Sequence, residues 1–246
     1  SNAFLAQRIS SINSISSLCE KTGAEINEVA KAIGTDSRIG GKFLSAGPGF
    51  GGSCFKKDIL NLVYIYEYYG LHDAADYWNS VLKINDWQKK RISNYVIDKL
   101  NGTVSGKKIT ILGFSFKADT NDTRESPAID ICLDLLEEGA LLAIHDPKVN
   151  QNQIKSEFEE RNFNENQNWS YNPNIIENIK ESHAILILTE WKEYQSLDWQ
   201  DIEKLMIKPS WVFDTRLITD HNQIKKTNIN FWRVGEITNK ETHSFS

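Results

Sequence analysis

Lys108-Ile109-Thr110-Ile111-Leu112-Gly113-Phe114-Ser115-Phe116-Lys117 is the stretch on which the fold turns. Its apolar run has the length of a strand and ends on a glycine, the pattern of a buried strand leaving its sheet through a turn. Downstream, Ser126-Pro127 sets an N-cap followed by proline at the first helical position, and the helix over residues 128–138 stops at Gly139. Strand patterns recur at residues 141–145, 184–189, 211–214 and 229–234, with helical segments at 175–180 and 198–206 between them. Strands alternating with helices predict an α/β fold with a parallel, doubly wound, Rossmann-like sheet. Residues 161–174 are rich in asparagine and aperiodic, and read as an exposed loop.

Upstream of Asn101-Gly102 the period is helical on either side of a glycine-dense loop. Residues 4–20 carry Leu5, Ile9, Ile12 and Ile15 at helical spacing, and Ser10, Ser14 and Ser17 mark a small-residue stripe open to a neighbouring helix. A short helix is expected over 26–33. A third begins at Asp58, places Ile59, Leu62, Val63 and Tyr66 on one face and closes at Gly70. Residues 73–100 contain neither glycine nor proline and form the longest helical candidate. Its polar middle, Asn85-Asp86-Trp87-Gln88-Lys89-Lys90-Arg91, suits a connector between domains or a dimer seam. Two domains follow: a helical region over 1–102 and a sheet domain over 103–246.

The chain has 246 residues, 40% hydrophobic and 25% charged, a globular composition with material for a sizeable core. A net charge of -5 argues against nucleic-acid or membrane-surface partners, and no apolar run reaches the length of a membrane span. Cys19, Cys54 and Cys132 are too scattered for a disulfide framework or a zinc site, so free thiols in a reducing cytoplasm are expected. Ser1-Asn2-Ala3 matches the remnant of a cleaved tag and runs at once into helix, which predicts a fragment of something longer.

Residues 47–58, Gly-Pro-Gly-Phe-Gly-Gly-Ser-Cys-Phe-Lys-Lys-Asp, concentrate the chemistry. Glycines let a backbone approach a ligand closely and offer it bare N–H groups. Cations beside a cysteine favour the thiolate, its nucleophilic form. Cys54 is therefore a candidate nucleophile, against the ordinary fate of a buried apolar thiol. Asp58 is a helix N-cap, a catalytic carboxylate, or both; Lys56 and Lys57 are solvated or border a ligand. Cys19 and Cys132 lie in helical patterns and read as structural. In the sheet region, Gly113-Phe114-Ser115-Phe116-Lys117 lacks the second and third glycines of a dinucleotide fingerprint. Lys117 and Arg124 stand either at a phosphate or on a solvated loop.

The blocks at 2–10, 49–58, 113–117, 122–126 and 213–216 resemble the nucleotide-sugar 6-dehydrogenases, the UDP-glucose/GDP-mannose dehydrogenase family, and the resemblance runs from Asn2 to about Glu236. It implies oxidation of a sugar primary alcohol to a carboxylate by two hydride transfers to NAD. Cys54 would form a thiohemiacetal and then a thioester, and Asp58 would position or activate the hydrolytic water. Substrate contacts would come from Asn2, from Ser45, Ala46, Gly47, Pro48, Gly49, Phe50 and Gly51, and from Phe116, Lys117 and Arg216. Arg38 resembles an arginine that reaches a neighbouring subunit's site, which implies a homodimer or larger assembly. Cys54, Phe55, Lys56 and Lys57 would border the nicotinamide, and Arg124 would touch NAD. The family's main NAD-binding domain and its catalytic lysine have no counterpart in these residues, so no turnover is expected of this chain by itself. Phe55 and the first helix lean towards UDP-glucose, giving UDP-glucuronate; GDP-mannose is the alternative substrate, and a non-catalytic nucleotide-binding or dimerisation module the alternative function.

Overall fold

A computed structural model of the chain describes residues 1–159 and 161–237; residues 238–246, the end of the expected second domain, lie outside it. Among the described residues six strands form one sheet: β1 (Lys108–Leu112), β2 (Leu141–His145), β3 (Trp169–Tyr171), β4 (Ala184–Ile187), β5 (Trp211–Asp214) and β6 (Asn230–Arg233). Their order is β3-β2-β1-β4-β5-β6, and every pair is parallel. The direction of winding reverses between β1 and β4, where Leu112 stands opposite both His145 and Ile187. In a doubly wound sheet the crevice at the carboxyl ends of such a strand pair is the ligand position. β4 is buried along its whole length, and that is why it is apolar without alternation.

Four helices precede the sheet: α1 (Asn2–Thr22), α2 (Ile26–Gly34), α3 (Phe55–Tyr68) and α4 (His72–Lys99). α1 stops where Gly23 turns left-handed at φ 81° and returns its N–H to the Cys19 carbonyl. α1 and α4 approach closely at Ser10, whose hydroxyl donates to the Val81 carbonyl at 2.8 Å. Ser14 and Ser17 of the expected stripe instead bond carbonyls of their own helix. α4 buries Trp78, Val81, Leu82, Ile92 and Val96, and also Asn85 and Gln88 from its polar middle. Two residues of that polar middle are thus packed within the chain. α4 is tied to α5 (Pro127–Glu137), where Lys89 donates to Asp130 at 2.5 Å and Ser93 to Asp134 at 2.6 Å.

Ile12, Cys19, Ile26, Ile92 and Val96 from the helices join Ile109, Ile111, Phe213 and Trp232 from the sheet in one apolar core. Truncating a side chain as buried as Trp232 would cost about 3–5 kcal/mol. The opposite face of the sheet packs Ile185, Val212, Trp199 and Ile202. The capped start expected at Ser126-Pro127 is present: the Ser126 hydroxyl accepts from the Ala128 N–H at 3.3 Å and donates to the Phe114 carbonyl at 2.8 Å.

Three local expectations change. Within 161–174 the short edge strand β3 pairs with β2 and buries Trp169; at three residues it is too brief to show a period. Helix α6 (Gln151–Glu159) escapes the sequence because only Ile154 and Phe158 face inward. α3 starts at Phe55 with Cys54 at its N-cap position, so Asp58 sits in the first turn and caps nothing. The remaining short helices are α7 (Ile175–Ile179), α8 (Trp199–Leu205) and α9 (His221–Ile224).

Candidate active site

The cysteine loop is shaped by its neighbours. Gly47 donates its N–H to Asn13 Oδ1 at 2.9 Å and accepts at its carbonyl from Gln88 Nε2 at 2.8 Å. Phe50 bonds both ends of the Asn85 amide, its N–H donating to Oδ1 at 2.8 Å and its carbonyl accepting from Nδ2 at 3.1 Å. Gly51 is glycine because a Cβ there would collide with the Glu125 carbonyl oxygen. Gly52 donates to the Arg124 carbonyl at 2.8 Å and lies against the Phe116 ring. At Gly51 and Gly52 the close approaches that favour glycine are to protein groups across the loop. Cys54 is exposed at the head of α3, its Sγ 3.6 Å from the Ser53 hydroxyl. One turn further on, Asp58 accepts from Asn2 Nδ2 at 2.7 Å.

From the sheet side, the carboxyl ends of β1, β4 and β5 deliver Lys117, Glu190 and Arg216. Asp214, fully buried, gathers the N–H groups of Arg216, Ile218 and Thr219, each at 2.9 Å, and thereby fixes the turn that presents Arg216. Arg216 donates Nε to the Leu188 carbonyl at 2.7 Å and Nη2 to the Phe116 carbonyl at 3.2 Å. Glu190 Oε2 stands 3.2 Å from the same Nε. Burial pushes the Arg216 guanidinium below its ordinary pKa, while Glu190 and Asp214 pull it back.

Between the loop and the sheet edge lies a cleft of about 560 Å³. Asn2, Ser45, Gly47, Gly49, Phe50 and Gly51 line it from the helical side together with Cys54 and Phe55; Phe116, Lys117 and Arg216 line it from the sheet. Ala46 and Pro48 are buried in the same loop but do not line the cleft. Asp58 reaches it through Asn2. Four other candidates lie apart from the lining. Lys56 pairs with Glu125 at 2.8 Å, Arg124 with Asp122 at 2.7 Å and Arg38 with Asp36 at 2.6 Å, while Lys57 is exposed on α3. The Arg38 side chain, 87% exposed, turns to solvent. Glu190, Asp122 and Phe43 line the cleft without having been singled out in the sequence. Glu190 follows a strand end, the same positional signal that marks Lys117.

The turn after β1 is closed to a dinucleotide. Phe114 and Ser115 donate their N–H groups to Asp146 Oδ2 at 2.7 and 3.1 Å, and the Trp191 indole joins them at 3.2 Å. A pyrophosphate would need those N–H groups free. The carboxylate fills their place, so this turn does not fit NAD. Among the described residues no cluster of three or more His, Cys, Asp or Glu could hold a metal ion, and no helix is long and apolar enough to cross a membrane.

Sheet order, a crevice at the switch point and an exposed cysteine lining one cleft with strand-end cations together define a Rossmann-like α/β protein. Sequence profiles narrow this class: the central domain of the UDP-glucose/GDP-mannose dehydrogenase family matches residues 1–87, and the family's UDP binding domain matches residues 110–221. The chain belongs to the UDP-glucose/GDP-mannose dehydrogenase family. It is 47% identical over 252 residues to UDP-glucose 6-dehydrogenase 4 of Arabidopsis thaliana, covering 96% of this chain and 52% of the relative. With UDP-glucose 6-dehydrogenase 3 of Oryza sativa subsp. japonica it shares 49% identity over 248 residues, again 96% of this chain and 52% of the relative. The chain thus spans about half the length of the curated relatives it matches. Among solved structures, a UDP-glucose dehydrogenase from the hyperthermophilic archaeon Pyrobaculum islandicum superposes with a TM-score of 0.77 at 28% identity, over 96% of this chain and 49% of the other.

Proposed function

We propose that this chain is the substrate-binding and nucleophile-bearing part of an NAD-dependent UDP-glucose 6-dehydrogenase, which oxidises UDP-glucose to UDP-glucuronate. The observation that carries the reading is that Cys54 lines the same cleft as Lys117 and Arg216 from the sheet's carboxyl edge. A nucleotide diphosphate needs cations and N–H donors, and a sugar C6 beyond it needs a nucleophile within reach. The names of the relatives and Phe55 after the cysteine favour UDP-glucose over GDP-mannose.

In this proposal the Cys54 thiol adds to the C6 aldehyde, forming a C–S bond while the carbonyl oxygen takes up a proton. Loss of a second hydride from C6, with the hydroxyl proton, would leave a thioester, and water would cleave it to carboxylate, a released proton and free thiol. Asp58, one turn beyond the cysteine and joined to Asn2, would hold that water. NAD is the hydride acceptor of the overall reaction, and its pyrophosphate is received elsewhere than on the β1–α5 turn.

The helical region 1–102 and the sheet region 103–246 would then form the two walls of the cleft. A homodimer is part of the proposal, supported by the exposed aromatic edge of Tyr64, Tyr68 and Tyr69 around α3; sedimentation as a strict monomer at high concentration contradicts it. Calorimetric titration tests the whole reading. UDP-glucose should bind saturably and GDP-mannose at least about tenfold more weakly, a gap of roughly 1.4 kcal/mol. Absence of UDP-glucose binding to folded protein overturns the reading.

A further inference from the structure

Asn13, Asn85 and Gln88 lie outside the chemistry just described, yet they are 0%, 4% and 0% exposed. A buried amide in a helix interior is costly unless its hydrogen bonds are made, and an aliphatic residue would fill the same space more cheaply. All three direct hydrogen bonds at the same four-residue segment. Asn13 and Gln88 hold the N–H and the carbonyl of Gly47 from opposite sides, and Asn85 holds both backbone groups of Phe50.

We propose that these three amides are positioning residues that impose one backbone shape on the loop leading to Cys54. The orientation of Gln88 is itself fixed. Its Oε1 accepts from Arg91 Nε at 3.1 Å, and Arg91 is anchored on Glu20 at 2.7 Å, so Nε2 is the end left for Gly47. Asn85 and Gln88 are three apart on α4 and share a face. Asn13 comes from α1, so the clamp is closed only when both helices are docked. Gly49, at φ 131°, runs so close over the clamp that a Cβ there would stand 2.8 Å from Asn85 Oδ1. Because Gly47 and Phe50 spend their backbone groups on the clamp, a ligand in the cleft is met by the remaining loop groups and by the sheet edge. The loop is built before the ligand arrives, which removes an ordering cost from binding.

The functional arm of this inference rests on the UDP-glucose reading; the structural arm does not. Amide hydrogen exchange by NMR is measured on the chain with Asn85→Leu, Asn85→Asp and Asn13→Leu, folding being checked by the amide of Gly52, which bonds Arg124 instead. In Asn85→Leu the Phe50 amide should exchange about tenfold faster, and in Asn13→Leu the Gly47 amide likewise, with Gly52 unchanged. Asn85→Asp keeps the acceptor and should retain most of the Phe50 protection. UDP-glucose affinity should fall about tenfold in Asn85→Leu. Wild-type exchange at Phe50 in Asn85→Leu, or at Gly47 in Asn13→Leu, overturns the clamp. Accelerated exchange with unchanged UDP-glucose affinity overturns its role in binding, and failure of wild-type protein to bind UDP-glucose counts against the functional reading alone.

Discussion

Phe114 gives its backbone N–H to the carboxylate of Asp146 at 2.7 Å, across the turn where a Rossmann sheet ordinarily receives a pyrophosphate. The same carboxylate takes Ser115 and Trp191 on one oxygen and the N–H groups of Lys148 and Val149 on the other. Asp146 is 1% exposed, so deleting it strands several buried donors at once. Asp146→Ala should lose at least about 3 kcal/mol in urea unfolding. A loss below about 1 kcal/mol would mean that the turn does not depend on this carboxylate.

Gly51 and Gly41 make a paired test of what the glycines do. A Cβ on Gly51 meets the Glu125 carbonyl and stands 2.9 Å from Phe116 Cβ, whereas a Cβ on Gly41 meets nothing within 4 Å. Gly51→Ala should cost about 1–3 kcal/mol by overpacking and loosen the loop from residues 116–125. Gly41→Ala should stay within about 0.5 kcal/mol. Thermal melts compare the two; equal effects would contradict the contact argument.

Arg216 spends two donors on the carbonyls of Leu188 and Phe116 and has Glu190 alongside. A lysine cannot reproduce a planar fork that holds two carbonyls and still faces the cleft. Arg216→Lys should weaken UDP binding by about 10–100-fold in calorimetry. Unchanged affinity would remove Arg216 from the binding surface.

Acid should destabilise the fold through its histidines. Burial pushes His145, His183 and His221 below the ordinary imidazole pKa; for His145 it outweighs the opposing pull of Asp146. His145 Nδ1 lies 2.9 Å from the Tyr194 hydroxyl and 3.9 Å from Glu193. Its folded state is held neutral, so on acidification the unfolded chain takes up the proton first. The stability contribution is complete above about pH 6.5 and is lost as the pH falls from there through the lower folded pKa. Melting temperatures between about pH 7.5 and 5.5 should fall, less steeply in His145→Asn. A parallel slope in that variant would rule His145 out as a contributor.

The strands that carry the sheet were legible because burial on both faces erases alternation: residues 184–187 are apolar without interruption, and residues 109–112 are broken only by Thr110. The Ser126-Pro127 cap and the first turn of α5 were equally plain. What the sequence hid depends on distant partners. Nothing near Gly51 reveals that the Glu125 carbonyl is the group it must admit. Asn85 and Gln88 read only as part of a polar stretch, and their burial depends on α1 and the cysteine loop closing on them. Glu190 follows a strand end but has no local partner to mark it, and β3 is set by pairing with β2 rather than by any period. In the site, the cysteine and the strand-end cations were readable as residue types, while their meeting in one cleft needed the fold.

The central claim is that Cys54 is the nucleophile of a UDP-sugar cleft, and the rate of its alkylation tests that most directly. Cys19 and Cys132 are buried, and burial drives the Cys132 thiol far above its ordinary pKa, so both should label slowly. Cys54 should react with iodoacetamide rapidly, and UDP-glucose should suppress that reaction saturably, by about tenfold at a concentration ten times its dissociation constant. A Cys54 labelling rate unmoved by saturating UDP-glucose would contradict the account.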